Sequence, residues 1–114
     1  MKAKMRSTCP ICYSLDLLGD KWSLLIIRDL VLAKKRYYRE FLNSPEGIAT
    51  NILADRLKKL VDADLATKQD DPANKGQPIY APTKKATALV PVLNAMAGWS
   101  LQFGPKSLKV PEGL

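Results

Sequence analysis

Histidine is absent from this 114-residue chain. Its absence removes the usual general base, the Ser-His and Cys-His nucleophile pairs, and the commonest metal ligand. Cysteine is scarce: Cys9 and Cys12 are the two present. Without a further Cys or His pair they cannot complete a four-ligand zinc site, and no cofactor is expected. No apolar run approaches the roughly 20 residues that span a bilayer. The basic start, Met1-Lys2-Ala3-Lys4-Met5-Arg6, is not followed by the apolar stretch of a signal peptide. A cytoplasmic chain without membrane attachment is expected, and there two cysteines read as free thiols, redox groups or ligands rather than as a staple. Acidic residues are short too. Eleven Asp and Glu face 18 Lys and Arg, a net charge of +7. In so small a chain that surplus points to a polyanionic partner, nucleic acid or an anionic membrane surface, with solubility charge as the plain alternative.

What the chain does contain describes one folded domain. A hydrophobic fraction of 46% with 25% charged residues is ordinary for a globular protein. Residues 1–8 are polar and basic and read as a flexible arm. Pro10 suits the first turn of a helix from about Pro10 to Leu18, with Ile11, Leu15 and Leu18 on one face and Gly19 as its stop. Asp20 is the candidate N-cap of a second helix, Lys21 to about Leu32. Trp22, Leu25, Ile26 and Leu30 line one side of it and Leu24, Ile27 and Val31 another, the pattern of a central, buried helix. Lys34-Lys35-Arg36 makes a basic loop. A short third helix, Tyr37 to Leu42, turns Phe41 and Leu42 inward.

Asn43-Ser44-Pro45-Glu46-Gly47 is a turn. It leads into an amphipathic helix at 49–61, where Leu53, Leu57, Leu60 and Val61 form one apolar stripe. The opposite face carries Thr50, Asn51, Asp55, Lys58 and Lys59. Amide, hydroxyl and cationic groups together can read base edges and hold phosphates. An ordinary core helix with a solvated face fits the same pattern. A short helix, a turn and a longer amphipathic helix form the layout of a helix-turn-helix. Leu65 to Gln69 and Ile79 to Ala81 read as two strands, the second confined by Pro78 and Pro82 to an edge or a free ribbon. Such a ribbon directly after a helix-turn-helix is a wing.

Thr83 is the N-cap expected for a last helix reaching Phe103, which Pro91 should kink. Residues 104–114 form a tail. The stripes of the first and last helices hold Ile11 and Leu15, then Leu89, Leu93, Met96, Trp99 and Phe103. They are large for so small a core and are assigned to a homodimer interface; closure of the monomer's own core is the alternative. The domain is therefore 9–103, mainly α with a small β-hairpin, a homodimeric winged helix-turn-helix.

Cys9-Pro10-Ile11-Cys12 has the spacing of a redox dithiol but lacks the βαβ context of a thioredoxin-like fold. A redox sensor fits better. Lys2, Lys4, Arg6 and the positive end of the first helix favour the Cys9 thiolate, the form that oxidants and electrophiles attack. Two small buried apolar side chains are the structural alternative.

The run Cys9-Pro10, then Leu17-Leu18-Gly19-Asp20-Lys21-Trp22-Ser23-Leu24-Leu25-Ile26-Ile27-Arg28-Asp29-Leu30, resembles the HxlR family of bacterial and archaeal winged-helix transcription regulators, relatives of MarR. The resemblance continues through Arg36-Tyr37-Tyr38-Arg39-Glu40-Phe41, Gly47-Ile48, Leu53, Arg56-Leu57-Lys58-Lys59-Leu60, and Leu89-Val90-Pro91-Val92-Leu93 with Trp99. It implies a homodimer on a double-stranded operator with two-fold symmetry. It also implies dimerisation through the first and last helices, the 49–61 helix in the major groove, and the hairpin at 65–81 on the minor groove or backbone. In several members the cysteine of the Cys-Pro pair senses quinones, aldehydes or hypochlorite, and Cys9 holds that position. Cys12 is not a family hallmark; a Cys9–Cys12 disulfide would close a very short loop within one helical turn. Three residues depart from the pattern. Ala49 replaces a capping Ser or Thr, Asp64 replaces a glycine where φ is often positive, and Pro82-Thr83-Lys84-Lys85-Ala86 replaces Leu-Thr-x-x-Gly.

The leading reading is a sequence-specific DNA-binding regulator, not an enzyme. Thr50 and Asn51 are the base-edge candidates, with Asn51 suited to adenine. Arg56 reaches DNA or braces the helix against Glu40 or Asp29. Asp55 shares the groove face. Lys58, Lys59, Lys68, Asn74 and Lys75 are phosphate or minor-groove candidates, flanked by Arg36 and Arg39. Cys9 and Cys12 are the redox candidates, with a small electrophile as partner. The competing readings are a small dithiol oxidoreductase and a winged-helix module that binds protein.

Overall fold

The second helix is apolar on two sides, so it has to be surrounded, and the rest of the fold is arranged about it. In the computed structural model, which describes residues 5–114, the order is α1 (Pro10–Leu18), α2 (Ser23–Val31), α3 (Tyr38–Leu42), α4 (Thr50–Asp62), β1 (Ala66–Asp70), β2 (Pro78–Pro82), α5 (Lys84–Thr87) and α6 (Val90–Phe103). Ile26, Ile27 and Leu30 of α2 meet Phe41 of α3 and Leu53, Leu57 and Leu60 of α4 in one core. Leu65, Ala66, Tyr80 and Ala86 close it from the hairpin side. Each large side chain buried there contributes roughly 1.5–3 kcal/mol.

Local chemistry sets the boundaries. Gly19 ends α1 with φ −78, so it is needed for space: a Cβ would lie 2.4 Å from the Leu15 carbonyl oxygen. Helix α2 runs from Ser23, two residues later than expected, yet the Asp20 carboxylate accepts from the N–H groups of both Trp22 and Ser23 at 3.0 Å, the bonds expected of a capping aspartate. Glu40 caps α3 by accepting from the Arg36 and Tyr37 N–H groups, each at 2.9 Å, and these bonds hold its carboxyl below the usual range.

Helix α4 ends in a Schellman motif. Leu65 N–H donates to Leu60 O at 2.8 Å and Asp64 N–H to Val61 O at 3.0 Å, with Asp64 left-handed at φ 60. The positive φ anticipated at this non-glycine position is thus present. Lys85 Nζ and Thr83 Oγ1 then donate to the Ala63 and Asp64 carbonyls, both at 2.7 Å. A cation at a helix C-terminus also complements the dipole.

The strands pair antiparallel, from Ala66 opposite Pro82 to Asp70 opposite Pro78. The ribbon is not free along its length: the Tyr80 N–H donates to Arg36 O at 2.8 Å, tying β2 to the loop after α2. The last helix is broken rather than kinked. Thr83 caps α5 by accepting from Ala86 N–H at 3.2 Å, but α5 stops at Thr87 and Pro91 falls in the first turn of α6. A proline ring clashes with the carbonyl four residues back and has no N–H to offer, so the chain resolves the conflict by starting a new helix. The tail also has structure: Leu114 N–H donates to Pro111 O at 3.4 Å, and Gly113 lies against Leu32 at the end of α2.

Candidate nucleic-acid interface

The exposed face of α4 has to be held at a fixed angle for its side chains to act together. Ala49 occupies the N-cap with no side-chain cap bond. Two other contacts secure that turn. Ile48 and Leu53, at the N′ and N4 positions, are buried in the same core, the arrangement of a hydrophobic staple. The Tyr38 hydroxyl of α3 donates to the Thr50 carbonyl. Gly47, at φ 71, supplies the left-handed residue the entering turn needs.

That turn is fastened to α2 by a buried polar network. Asp29, 5% exposed, accepts from Arg28 Nε at 3.1 Å, Lys35 Nζ at 3.4 Å and the Ser44 hydroxyl. Arg28 forks onto Glu46 at 2.9 and 2.8 Å. The Glu46 bond raises the Arg28 pKa against the opposing effect of burial, and the same bond lowers that of Glu46.

A second fastening lies along α4 itself. Arg56 Nε donates to Asp20 Oδ2 at 2.9 Å, and its Nη1 pairs with Asp55. The bracing partner is therefore Asp20, not Glu40 or Asp29 as the sequence suggested. Glu40 and Asp29 are occupied by the α3 cap and the turn network, and neither bonds Arg56. Asp20 titrates at about 2: desolvation pushes it up, but bonds from Ser23, Trp22 and Arg56 outweigh that.

The remaining nominated residues fall into two groups. Thr50, Asn51, Asp55, Lys58 and Lys59 are exposed on one face of α4, with Lys59 Nζ 3.4 Å from Asp55. On the hairpin, Lys68 and Lys75 are exposed, while Asn74 Nδ2 donates to Asp71 at 2.9 Å. Asp71 is buried where β1 enters the hairpin loop and also accepts from the Tyr37 hydroxyl and Ala73 N–H. The Tyr37 bond, then Asn74, hold its carboxyl below the ordinary range. Arg39 stacks over the Tyr37 ring at 4.8 Å and donates to Gln77 at 2.9 Å, joining α3 to the wing. Arg36 points inward, donating to the Leu30 and Lys35 carbonyls at 2.9 and 2.8 Å.

Asp20, Asp29, Tyr37 and Asp71 were not nominated as site residues. One signal was available: a carboxylate at position 29, inside a helix apolar on two sides, requires buried partners.

Both thiols are free, Cys9 exposed at the α1 N-cap and Cys12 half-buried. Arg6 is paired with Asp16 at 2.5 Å. Lys2 and Lys4 lie outside the described residues. Helices α1 and α6 bury none of their residues. Ile11 is 70% exposed, Trp99 67% and Phe103 66%, with Leu15 and Met96 also exposed. Leu93 is half-buried and Leu89 packs against the monomer's own core.

The profile of the HxlR-like helix-turn-helix family matches residues 17–108. The chain is 36% identical over 96 residues to the HTH-type transcriptional regulator YodB of Bacillus subtilis, covering 83% of this chain and 85% of that one. The crystal structure of PA1607, a candidate transcription factor, superposes with a TM-score of 0.81 at 34% identity, covering 92% of this chain and 73% of that one. Reduced YodB superposes with a TM-score of 0.69 at 32% identity, over 90% of this chain and all of that one. YodB has also been solved bound to quinone and after diamide treatment. These relatives are regulators rather than enzymes, which sets the oxidoreductase reading aside. With a winged helix-turn-helix on one side and the matching sequence along most of its length, the chain belongs to the HxlR-like helix-turn-helix family of transcriptional regulators.

Proposed function

We propose that this regulator acts in the cytoplasm as a homodimer that binds a two-fold-symmetric DNA operator and responds to oxidants or electrophiles through Cys9. The observation that carries the DNA reading is the α4 face. Thr50 and Asn51 stand exposed in the first turn, with Lys58 and Lys59 further along, and the helix is braced from α2, α3 and the turn before it. A hydroxyl and an amide at the start of a recognition helix suit base edges. Lys58, Lys59, Lys68 and Lys75 suit phosphates. The exposed apolar residues of α1 and α6 support a dimer, because large apolar side chains left in water favour burial against a second copy. The exposed Cys9, and a relative whose structures include quinone-bound and diamide-treated forms, support the sensing.

A gel shift tests all three parts, using the promoter region beside the protein's own gene at two salt concentrations, with and without diamide. A retarded species of dimer size that weakens steeply with salt and is altered by diamide is expected. A protein that is monomeric by light scattering and indifferent to DNA sequence overturns the reading.

A further inference from the structure

The two cysteines occupy different positions at the start of α1, and the difference matters to their chemistry. Cys9 has φ −71 and ψ 125, so it stands outside the helix, and its side chain makes no capping bond. A side chain at the N-cap lies over the first turn, toward the N–H groups of the second and third helical residues. The third helical residue is Cys12. At helical rise and radius, Cα atoms three residues apart are about 5 Å apart, within the roughly 4.4–6.8 Å that a disulfide bridges. The short loop counts against two helical cysteines, whereas here one of the pair is extended.

Cys12 also has a neighbour that Cys9 lacks among the described residues. Its Sγ lies 4.0 Å from Asp16 Oδ2. The other oxygen of Asp16 is fixed by Arg6, whose Nη2 and Nε lie 2.5 and 2.6 Å away.

We propose that Cys9 and Cys12 form a reversible disulfide within one protomer. Cys9 is the attacking thiol, Cys12 the resolving thiol and Asp16 the acceptor of its proton. The proposal rests on the thiol-sensing reading and adds to it a second residue and a defined product. The oxidant is a low-molecular-weight disulfide. The Cys9 thiolate attacks one of its sulfurs, one thiolate leaves and takes up a proton, and a mixed disulfide remains. Cys12 passes its proton to Asp16 and attacks Cys9 Sγ, and the second thiolate leaves and takes up that proton. Two protein thiols become one disulfide while the two electrons released reduce the oxidant to two thiols.

The test treats the full chain with glutathione disulfide and quenches it by alkylation. Trypsin releases residues 7–21 as one peptide carrying both cysteines. Wild type should give that peptide two hydrogens lighter and unalkylated, from protein that runs as a single protomer on a non-reducing gel. Cys12→Ser should stop at the glutathione adduct on Cys9, Cys9→Ser should react much more slowly, and Asp16→Asn should slow ring closure several-fold without slowing adduct formation. Wild type that accumulates the same adduct as Cys12→Ser, or a disulfide between two chains, overturns the dithiol. Equal closure rates for wild type and Asp16→Asn remove Asp16 from the step. The chemical product decides this proposal whatever the operator does. If the internal disulfide forms and operator affinity is unchanged, it is the sensing reading that fails.

Discussion

Removing the carboxylate at position 20 should destabilise the fold and loosen α4 together. Asp20 accepts from the Trp22 and Ser23 N–H groups at 3.0 Å, from the Ser23 hydroxyl, and from Arg56 Nε at 2.9 Å. It therefore starts α2 and braces α4 at once. Its folded pKa of about 2 lies below the roughly 3.9 of an unfolded aspartate. A depression of that size corresponds to about 2.5 kcal/mol before screening. The Asp20 and Arg56 side chains are 29% and 24% exposed, so solvent screening reduces the charge-dependent part to about 1 kcal/mol.

Asp20→Asn keeps one capping oxygen and should lose that ~1 kcal/mol. Asp20→Ala loses the cap as well, another ~1 kcal/mol. Because the folded pKa is the lower one, the contribution is complete above the unfolded pKa and disappears as pH falls through about 2. The assay is urea unfolding followed by circular dichroism at several pH values, with Arg56→Ala and the Asp20→Asn/Arg56→Ala double variant completing a cycle. The gap between wild type and Asp20→Asn should close between about pH 5 and 2, and the cycle should show a coupling of roughly 0.5–1 kcal/mol. A gap independent of pH, or zero coupling, refutes the assignment of Asp20 to Arg56.

Three further outcomes follow from the same structure. Asp64→Gly should stabilise the protein by about 0.5–1 kcal/mol, raising Tm by a few degrees in calorimetry, because the left-handed Schellman position at φ 60 suits glycine. Asn51→Ala should relax sequence preference in a binding-site selection, whereas Lys75→Ala should weaken all sequences alike and make the salt dependence shallower by about one phosphate. Equal loss on every sequence for Asn51→Ala counts against its base-reading role. Tyr37→Phe, which removes the hydroxyl from Asp71, should speed hydrogen exchange in residues 70–77 and weaken DNA binding while leaving exchange in α2 and α4 unchanged.

The parts of this fold that followed a period were legible. Leu53, Leu57 and Leu60 recur at helical spacing and are buried as that spacing requires. The two apolar sides of α2 announced a surrounded helix, and Pro78 and Pro82 announced a ribbon at a sheet edge. Pro91 misled because the stripe Leu89, Leu93, Met96 runs straight across it. Apolar spacing survives a break in which the new helix begins one residue after the stripe does, so periodicity alone could not separate a kink from two helices. Ionic partners were the least legible. Arg56 had carboxylates nearby in sequence on several elements, and only the tertiary placement of the turn before α2 selects Asp20, 36 residues away. The exposed α4 face was legible as a set of residues; the network that orients it, from Asp29 to Ser44 and Arg28 to Glu46, was not.

The two basic residue types divide in part: Lys35 and Lys85 bond protein acceptors, whereas every arginine does so. Arg6, Arg28, Arg36, Arg39 and Arg56 are each committed to a protein acceptor: a carboxylate, a backbone carbonyl or an amide oxygen. A planar fork with several donors suits such fixed pairing, whereas an ammonium on a flexible stem suits a charge that must find a phosphate. The side chains of Lys58, Lys68 and Lys75 make no hydrogen bond or ion pair among the described residues, and they stand on α4 and the wing. If arginine holds the head together and lysine meets the DNA, the two should separate with ionic strength. Exposed lysine–phosphate attraction is screened within a Debye length of about 8 Å at physiological salt, whereas partly buried pairs such as Arg28–Glu46 are screened less. Salt should therefore release the operator well before it disturbs the angle of α4. On the proposed reading, sequence preference should then rest with the uncharged Thr50 and Asn51 and should be lost if the geometry that the arginines maintain is disturbed.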